Sequence, residues 1–239
     1  VYIHCKRFGG HRQAAGKQFL RDETLSSEKP VFLSPLGEGA FGPALQPAIL
    51  KEAYTSMANE ERPVEKQGIY SGKILTLEKW TVELPNGKQA LREIVHHKGA
   101  SAVVPVDERL RVPMVRQFRA PIGRVTLEIP AGKLDHPGED PELCARRELS
   151  EETGLTAESV TKLVALRTTP GFCNETIHLY MARGLTQGER HLDEDEFLNV
   201  EWVPLEELTD RIVRGEIEDA KTIAALLMAR EILRREREA

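Results

Sequence analysis

Short apolar runs separated by turn residues follow one another between residues 70 and 203 of this 239-residue chain. A short run with alternating apolar positions predicts a β-strand, whereas apolar positions at helical spacing predict a helix. Because the two kinds of segment do not alternate regularly, the pattern indicates an α+β fold. The predicted strands are residues 70–77, 80–84, 89–95, 101–106, 112–116, 160–166, 177–181 and 199–203. The predicted helices are residues 141–153, 205–213 and 218–235.

Two pairs of neighbouring strands are joined by short turns. Asn86 and Gly87 stand between strands 80–84 and 89–95, and Asn-Gly between alternating runs is the strongest short signal for a β-hairpin. The segment 107–109 joins the next two strands, so the sequence predicts a second hairpin there.

Charge and cysteine content exclude several classes of protein. Lys and Arg number 33 against 38 Asp and Glu, so the net charge of -5 offers no general attraction to nucleic-acid backbones. No run approaches the roughly 18 apolar residues that a membrane helix needs. The cysteines at 5, 144 and 173 form no C-x-x-C pair, which argues against a disulfide framework and a zinc knuckle. We therefore expect a cytoplasmic protein that binds neither nucleic acid nor membranes.

The first 56 residues differ in character from the remainder. They hold seven basic and five acidic residues, a net charge of +2, which leaves -7 for residues 57–239 out of the total of -5. No apolar period persists in them, so we expect residues 1–56 to be a disordered or non-native extension. Met57 is the first methionine, and we expect the native protein to begin there. A targeting peptide in residues 1–21 is the alternative, which the adjacent glycines 9 and 10 disfavour.

The predicted helix 141–153 carries three glutamates on one face. At about 100° per residue, Glu151 lies about 60° to one side of Glu148, and Glu152 lies about 40° to the other side. Asp140 before the helix is a typical N-cap, and the glycine at 154 is a typical C-terminal cap. The three carboxylates therefore point in one direction.

This clustering is unfavourable without a cation. Two like charges about 4 Å apart repel by roughly 4 kcal/mol at an effective dielectric constant of 20. The C-terminal turn of a helix also disfavours anions. A hard divalent ion relieves both problems, and ligation by oxygen alone favours Mg²⁺ or Mn²⁺. The alternative is a solvated acidic face that pairs with Arg146 and Arg147.

The segment 132–155 resembles the Nudix box, G-x5-E-x7-R-E-U-x-E-E-x-G-U, where U is apolar. It departs from the pattern at one point, because six residues instead of five separate Gly132 from Glu139. The longer loop leaves the spacing of the metal ligands unchanged. The positions that match are Glu139, Arg147, Glu148, Leu149, Glu151, Glu152, Gly154 and Leu155.

The resemblance implies a Nudix α/β/α sandwich and a set of site residues. It makes Glu148 and Glu152 the main ligands of Mg²⁺, with Mn²⁺ as a substitute. Glu151 and the backbone carbonyl of Ala131 are further ligands, and Arg147 orients the carboxylates through ion pairs.

Other positions resemble the ADP-ribose pyrophosphatase branch of this family. Pro170 follows Leu155 by fifteen residues, at the place of that branch's proline turn, although Pro-Gly is also an ordinary type II turn. The resemblance makes Arg119 a ligand of the diphosphate or the adenosine side. It makes Glu175 a ribose contact, although a loop carboxylate at that position has a simple structural explanation.

The same branch implies a homodimer. Residues 57–98 resemble its N-terminal antiparallel β-sheet, which packs across a two-fold axis, and residues 99–239 resemble the Nudix domain. Arg92 then binds substrate in the partner's site, the alternative being a surface arginine. The general base comes from an acidic loop, here residues 191–197, in which Glu196 and then Glu194 are the candidates.

The resemblance thus implies Mg²⁺-dependent hydrolysis of ADP-ribose to AMP and ribose 5-phosphate. The alternative within enzymes is a broad-range pyrophosphatase of ADP-sugars or GDP-mannose. The alternative in another class is a non-catalytic ADP-ribose sensor. The sensor is disfavoured because Glu148, Glu151 and Glu152 are all present.

Overall fold

The computed structural model describes residues 59–136, 138–190 and 198–239. The expected extension, residues 1–56, and the expected start at Met57 lie outside the described residues. The two candidates for the general base, Glu194 and Glu196, also lie outside them. Within the described ranges, no helix combines the length and the apolar character needed to cross a membrane.

Three antiparallel strands form a separate N-terminal sheet in the order β1-β2-β3. The predicted Asn-Gly hairpin is confirmed, since β2 and β3 pair from Glu83 opposite Gln89 onward. Gly87 has φ 76° in the turn and donates to the carbonyl of Leu84 at 2.9 Å. The strands are β1 (Arg62–Ser71), β2 (Leu75–Glu83) and β3 (Gln89–His97).

The prediction of one strand over residues 70–77 is wrong. The chain turns there, and the amide of Gly72 donates to the carbonyl of Leu75 at 2.9 Å between β1 and β2. Every residue of β1 is exposed, so this strand has no buried face to impose an alternating pattern. The sequence of β1 therefore lacks the alternation of apolar and polar residues that would predict a strand.

The rest of the described chain forms a sandwich of two further sheets with three helices. One sheet has the strand order β7-β4-β9-β8 and the other has the order β10-β5-β6. The strands are β4 (Ala100–Pro105), β5 (Arg111–Arg119), β6 (Arg124–Glu128), β7 (Ala131–Lys133), β8 (Leu155–Arg167), β9 (Thr176–Gln187) and β10 (Asn199–Pro204). The helices are α1 (Pro141–Thr153), α2 (Leu205–Val213) and α3 (Ala220–Glu238).

The predicted second hairpin is also wrong, because β4 and β5 belong to different sheets. The connection between them folds around Asp107, whose Oδ1 accepts hydrogen bonds from the amides of Arg109 at 2.9 Å and Arg111 at 2.7 Å. Leu110 adopts a left-handed conformation with φ 55°. The short turn redirects the chain from one sheet to the other instead of returning it beside β4.

Central strand β4 is buried at all six positions and explains the layered arrangement. Successive side chains of a strand point to opposite faces. Val103 packs on one face with Ala145 and Leu149 of α1. Ala102 and Val104 pack on the other face in the larger core, which also includes residues of α2 and α3. Among the described helices, α1 packs on one face of this sheet, and α2 and α3 contribute to the core on the other face.

The three helices lie close to their predicted bounds, and α1 and α3 each begin after an aspartate N-cap. Helix α1 has the predicted bounds, and α2 does too. Helix α3 begins at Ala220, two residues after the predicted start, because Asp219 is its N-cap.

Candidate active site

Helix α1 is held at both ends by its own sequence. The side chain of Asp140 accepts a hydrogen bond from the amide of Glu142 at 2.9 Å. Gly154 ends the helix with φ 73° and donates to the carbonyl of Ser150 at 2.8 Å. Ser101 of β4 also donates to the carbonyl of Pro141 at 2.7 Å, which ties the start of the helix to the central strand.

Two of the predicted metal ligands are buried acids beside β7. Glu148 is 7% exposed and Glu152 is 3% exposed. The amide of Ala131 donates to Oε2 of Glu152 at 3.1 Å, so the predicted backbone ligand and this carboxylate are neighbours. A Cβ atom on Gly132 would lie 1.9 Å from Oε1 of Glu148. A side chain at residue 132 would therefore displace the Glu148 carboxylate, because the strand backbone runs against it.

Arg147 lies among the carboxylates that it is expected to orient. Its Nη1 donates to Oε1 of Glu148 at 2.7 Å and to Oε2 of Glu151 at 3.0 Å. Its Nη2 lies 3.6 Å from Oε1 of Glu139 and 3.5 Å from Oδ2 of Asp135. Burial works against the charge of Arg147, but Glu148 and the other neighbouring acids raise its pKa above the ordinary value. The arginine therefore stays protonated among four acids.

The donor set fits a hard divalent cation. Two buried carboxylates, a half-buried third at Glu151 and the adjacent backbone of Ala131 supply oxygen ligands, which suit Mg²⁺ or Mn²⁺. In the described part of the chain, no group of three or more His, Cys, Asp or Glu side chains is arranged to enclose an ion. Carboxylate oxygens are the donors that such ions prefer, and Glu148 and Glu152 present them from one face of one helix.

Arg119, a predicted substrate ligand, forms a two-pronged ion pair with Glu128. Its Nε donates to Oε1 at 2.7 Å and its Nη2 donates to Oε2 at 2.6 Å. Its pKa is raised mainly by these hydrogen bonds, and the charges of Asp219 and Glu152 contribute. Glu148, Glu151 and Glu152 are called the α1 acid cluster below. The charge of Glu152, one member of this cluster, therefore acts on Arg119.

Glu128 is 3% exposed and binds two further groups. Thr126 donates its hydroxyl to Oε1 at 2.5 Å. The ammonium group of Lys221, at the start of α3, donates to Oε2 and also to Oδ2 of Asp219 at 3.0 Å. Sequence reasoning missed both Glu128 and Lys221. The sequence did contain one indication of such a pair, since Glu128 stands between Leu127 and Ile129. A charge inside an apolar run needs a buried partner.

The loop that carries Pro170 is hydrogen-bonded to the end of β3. The amide of Val95 donates to the carbonyl of Phe172 at 2.8 Å, and the amide of Asn174 donates back to Val95 at 3.1 Å. Glu175 accepts from the hydroxyl of Thr168 at 2.7 Å and lies 3.4 Å from Nδ1 of His97. The structure thus brings Pro170 and Glu175 together and connects their loop to the N-terminal sheet.

Arg92 lies on β3, three residues before the contact at Val95. Its guanidinium forms a two-pronged pair with Glu61, with Nε at 2.9 Å from Oε2. Its Nη1 donates to the carbonyl of Leu91 at 2.9 Å. Within its own chain Arg92 is therefore held in the N-terminal sheet.

Acid is expected to destabilise the protein through Glu128. Burial alone would raise the pKa of this carboxyl, but Arg119, Lys221 and Thr126 lower it from 4.5 to about 2. A carboxyl with a lowered pKa stabilises the fold above its unfolded pKa and loses that contribution as the pH falls toward its folded pKa. We expect the free energy of unfolding to fall between about pH 4.5 and pH 2, by up to about 3 kcal/mol from this group.

Urea denaturation at a series of pH values measures this loss. Glu128→Gln should flatten the pH dependence in the acid range. Glu201→Gln is the matched control because Glu201 pairs with Arg116 of β5 at 2.9 Å on an exposed surface. A Glu128→Gln protein with the wild-type pH dependence would contradict the assignment of this carboxyl.

Several known proteins are similar to this chain in sequence, and a solved structure is similar in fold. The NUDIX domain profile matches residues 95–226. The ADP-ribose pyrophosphatase of Bacillus subtilis (strain 168) is 48% identical over 169 residues, which are 70% of this chain and 91% of that protein. The methanol dehydrogenase activator of Bacillus methanolicus is 44% identical over the same shares. The ADP-ribose pyrophosphatase of Mycobacterium tuberculosis (strain ATCC 25618 / H37Rv) is 40% identical over 69% of this chain and 80% of that protein.

A solved crystal structure of an ADP compounds hydrolase has the same fold. It matches with a TM-score of 0.67 at 23% identity, over 76% of this chain and 98% of that chain. The profile match covers the sandwich and the box helix α1, which confirms the resemblance indicated by the box residues. The chain therefore belongs to the Nudix hydrolase family.

Proposed function

We propose that this protein hydrolyses the diphosphate bond of ADP-ribose to AMP and ribose 5-phosphate. The observation that carries the proposal is the pair of buried glutamates, Glu148 and Glu152, set against the backbone of Ala131 and Gly132. The activity named for the relatives at 48% and 40% identity supports the choice of ADP-ribose. We also propose that the enzyme works in the cytoplasm.

Glu148, Glu152 and the carbonyl of Ala131 would hold Mg²⁺, with Glu151 as a further ligand. When bound, the ion supplies charge neutralisation for the diphosphate and acidifies the attacking water. Arg147 orients Glu148 and Glu151 through its two hydrogen bonds. Gly132 leaves the space that the Glu148 carboxylate occupies.

Arg119 and the Pro170 loop would bind the substrate. A guanidinium has five N–H donors, and the pair with Glu128 uses Nε and Nη2. The remaining donors suit phosphate oxygens. Glu175, oriented by the hydroxyl of Thr168, presents a carboxylate for ribose hydroxyls.

Glu196 is proposed as the general base, because the acidic segment 191–197 comes shortly before the last strand. Glu196→Gln should lower kcat by about a hundredfold or more and change KM little, since a base acts in the transition state. Steady-state measurement of AMP release tests this assignment. Glu189→Gln, which lies outside the segment 191–197, is the control. If Glu194→Gln shows this loss instead, the base is Glu194.

The protein is proposed to be a homodimer formed through the N-terminal sheet, with Arg92 acting in the partner's site. Apolar side chains on the sheet are exposed, among them Ile69 at 53% and Leu91 at 56%. Arg92→Ala and Glu152→Gln subunits should each be inactive as homodimers. In a mixed dimer, one of the two sites combines an intact Glu152 with an intact Arg92 from the partner. Random exchange makes about half of the dimers mixed, so about one quarter of wild-type activity should return.

Activity of the mixture after denaturation and refolding together measures this complementation. Light scattering on the same sample should give about twice the chain mass of 26.8 kDa. Arg92→Ala mixed with Arg147→Ala in place of Glu152→Gln is a second combination with the same expectation. A mixture no more active than its parts would show that Arg92 does not act across subunits.

The substrate is tested by comparing kcat/KM for ADP-ribose with the values for ADP-glucose and GDP-mannose. A clear preference for ADP-ribose is expected. A preference of about tenfold or more for either sugar nucleotide would establish the broad-range pyrophosphatase instead. Binding of ADP-ribose without Mg²⁺-stimulated release of AMP would favour the sensor.

A further inference from the structure

An ionic network joins the diphosphate candidate Arg119 to the start of the last helix. Glu128 ends β6, Arg119 ends β5, and Lys221 lies in the first turn of α3. Glu128 and Lys221 are 93 residues apart in the chain, and both are buried. The contact therefore depends on the complete sandwich being folded.

A buried network of this kind is poorly explained by stability alone. Removing charges from water is costly, and apolar residues of similar size often serve a fold as well as or better than a buried ion pair. A second link already attaches α3 to the end of β6, since the amide of Ile129 donates to Thr222 Oγ1 at 3.0 Å. The carboxylate of Glu128 is therefore not the sole link between the helix and the end of β6 among the described residues.

Arg119 is the group whose conformation Glu128 determines. An arginine at a strand end has many rotamers, and ordering them has an entropic cost. Bonds from Nε and Nη2 to the two carboxylate oxygens fix both the position and the plane of the guanidinium. Lys221 donates to Oε2 and Thr126 donates to Oε1, so each oxygen of the carboxylate accepts a second hydrogen bond. These bonds hold Glu128 in place.

The network also sits beside the predicted metal ligands. Two residues, Ile129 and Pro130, separate Glu128 from Ala131, whose amide contacts Glu152. The amide of Val103, on the central strand, donates to the carbonyl of Pro130 at 3.0 Å, which fixes this short connection. Arg119 and the α1 acid cluster are thereby held to one rigid segment.

We propose that Glu128, anchored by Lys221, is a positioning residue that presents Arg119 to the diphosphate of the substrate. This inference rests on the proposed function, because it takes ADP-ribose as the ligand. Glu128 touches no reacting atom and acts through Arg119. The free enzyme then has its arginine in place before substrate arrives, which spares the cost of ordering the side chain on binding.

A double-mutant cycle on Arg119 and Glu128 tests the proposal. The readout is the Kd of ADP-ribose by calorimetry in the presence of a chelator, so that no turnover occurs, together with KM in Mg²⁺. Glu128→Gln should weaken binding by about tenfold, and Arg119→Ala should weaken it at least as much. The double variant should match Arg119→Ala within about twofold, because Glu128 has no effect without its arginine.

Glu201→Gln is the control, since it breaks an arginine pair on the same strand β5 and should leave Kd unchanged. Losses that multiply in the double variant, or a Glu128→Gln protein that binds like wild type, overturn the proposal. If Glu128→Gln does not fold, Glu128→Asp replaces it in the cycle. The aspartate keeps the negative charge but has a shorter side chain, so its two oxygens no longer reach Nε and Nη2 of Arg119 together and binding should weaken.

Failure of this proposal and failure of the proposed function give different results. A wild-type enzyme that releases AMP from ADP-ribose, combined with independent effects in the cycle, removes only the role of Glu128. A wild-type protein that binds ADP-ribose without releasing AMP, combined with coupled effects on Kd, supports Glu128 and removes only the hydrolase activity.

Discussion

Replacing Glu152 by Gln is expected to lower kcat for AMP release by about a thousandfold, with little change in thermal stability. Glu152 is 3% exposed and accepts a hydrogen bond from Ala131. Gln has the same shape and can still accept that bond, but it lacks the negative charge that a divalent cation requires. The loss should therefore fall on chemistry and on metal affinity.

Two measurements separate these effects from a folding defect. Binding of Mn²⁺ by the isolated protein, followed by electron paramagnetic resonance, should weaken in parallel with kcat. Glu142→Gln is the matched control because Glu142 lies on the same helix but pairs with Arg146 at 3.0 Å at the surface. A Glu152→Gln enzyme with near wild-type kcat would remove Glu152 from the metal site.

Replacing Gly132 by Ala is expected to lower kcat by about a hundredfold. The added Cβ would lie 1.9 Å from Oε1 and 2.0 Å from Cδ of Glu148, closer than any real contact. Glu148 is buried and paired with Arg147 at 2.7 Å, so its carboxylate has to leave this position. A displacement of about 1 Å in a catalytic group costs roughly a hundredfold in rate.

The readouts are kcat and the thermal midpoint. The midpoint should change by only a few degrees, because the displaced atoms are the end of a side chain and the core remains intact. Gly68→Ala is the control, since a Cβ on Gly68 meets no atom within 4 Å. Wild-type kcat in Gly132→Ala would mean that Glu148 tolerates displacement and is not a ligand.

Helix α1 was predicted with its correct ends because its signals are local. Asp140, Pro141 and Gly154 act on the backbone within a few residues of themselves. The carboxylate pattern of the helix depends only on the 100° step between residues. The same holds for the Asn-Gly hairpin, where two residues determine the turn.

Other parts of the fold were not predictable from local pattern. Strand β1 is exposed throughout, so it carries no alternation. The connection at Asp107 looks like a hairpin turn in sequence, yet it sends β5 into another sheet. Strand pairing is a non-local choice, which depends on which partner buries more surface and not on the connecting residues.

The sequence by itself determined the family, the box helix and the glutamates that face one way. Only the tertiary structure decided the partners of Arg119, since Glu128 and Lys221 meet across 93 residues when β6 and α3 pack together. It also placed Gly132 against the Glu148 carboxylate of another element, so that a Cβ at residue 132 would displace this carboxylate. Helix periodicity and capping are properties of neighbouring residues, whereas burial of a charge depends on the whole fold.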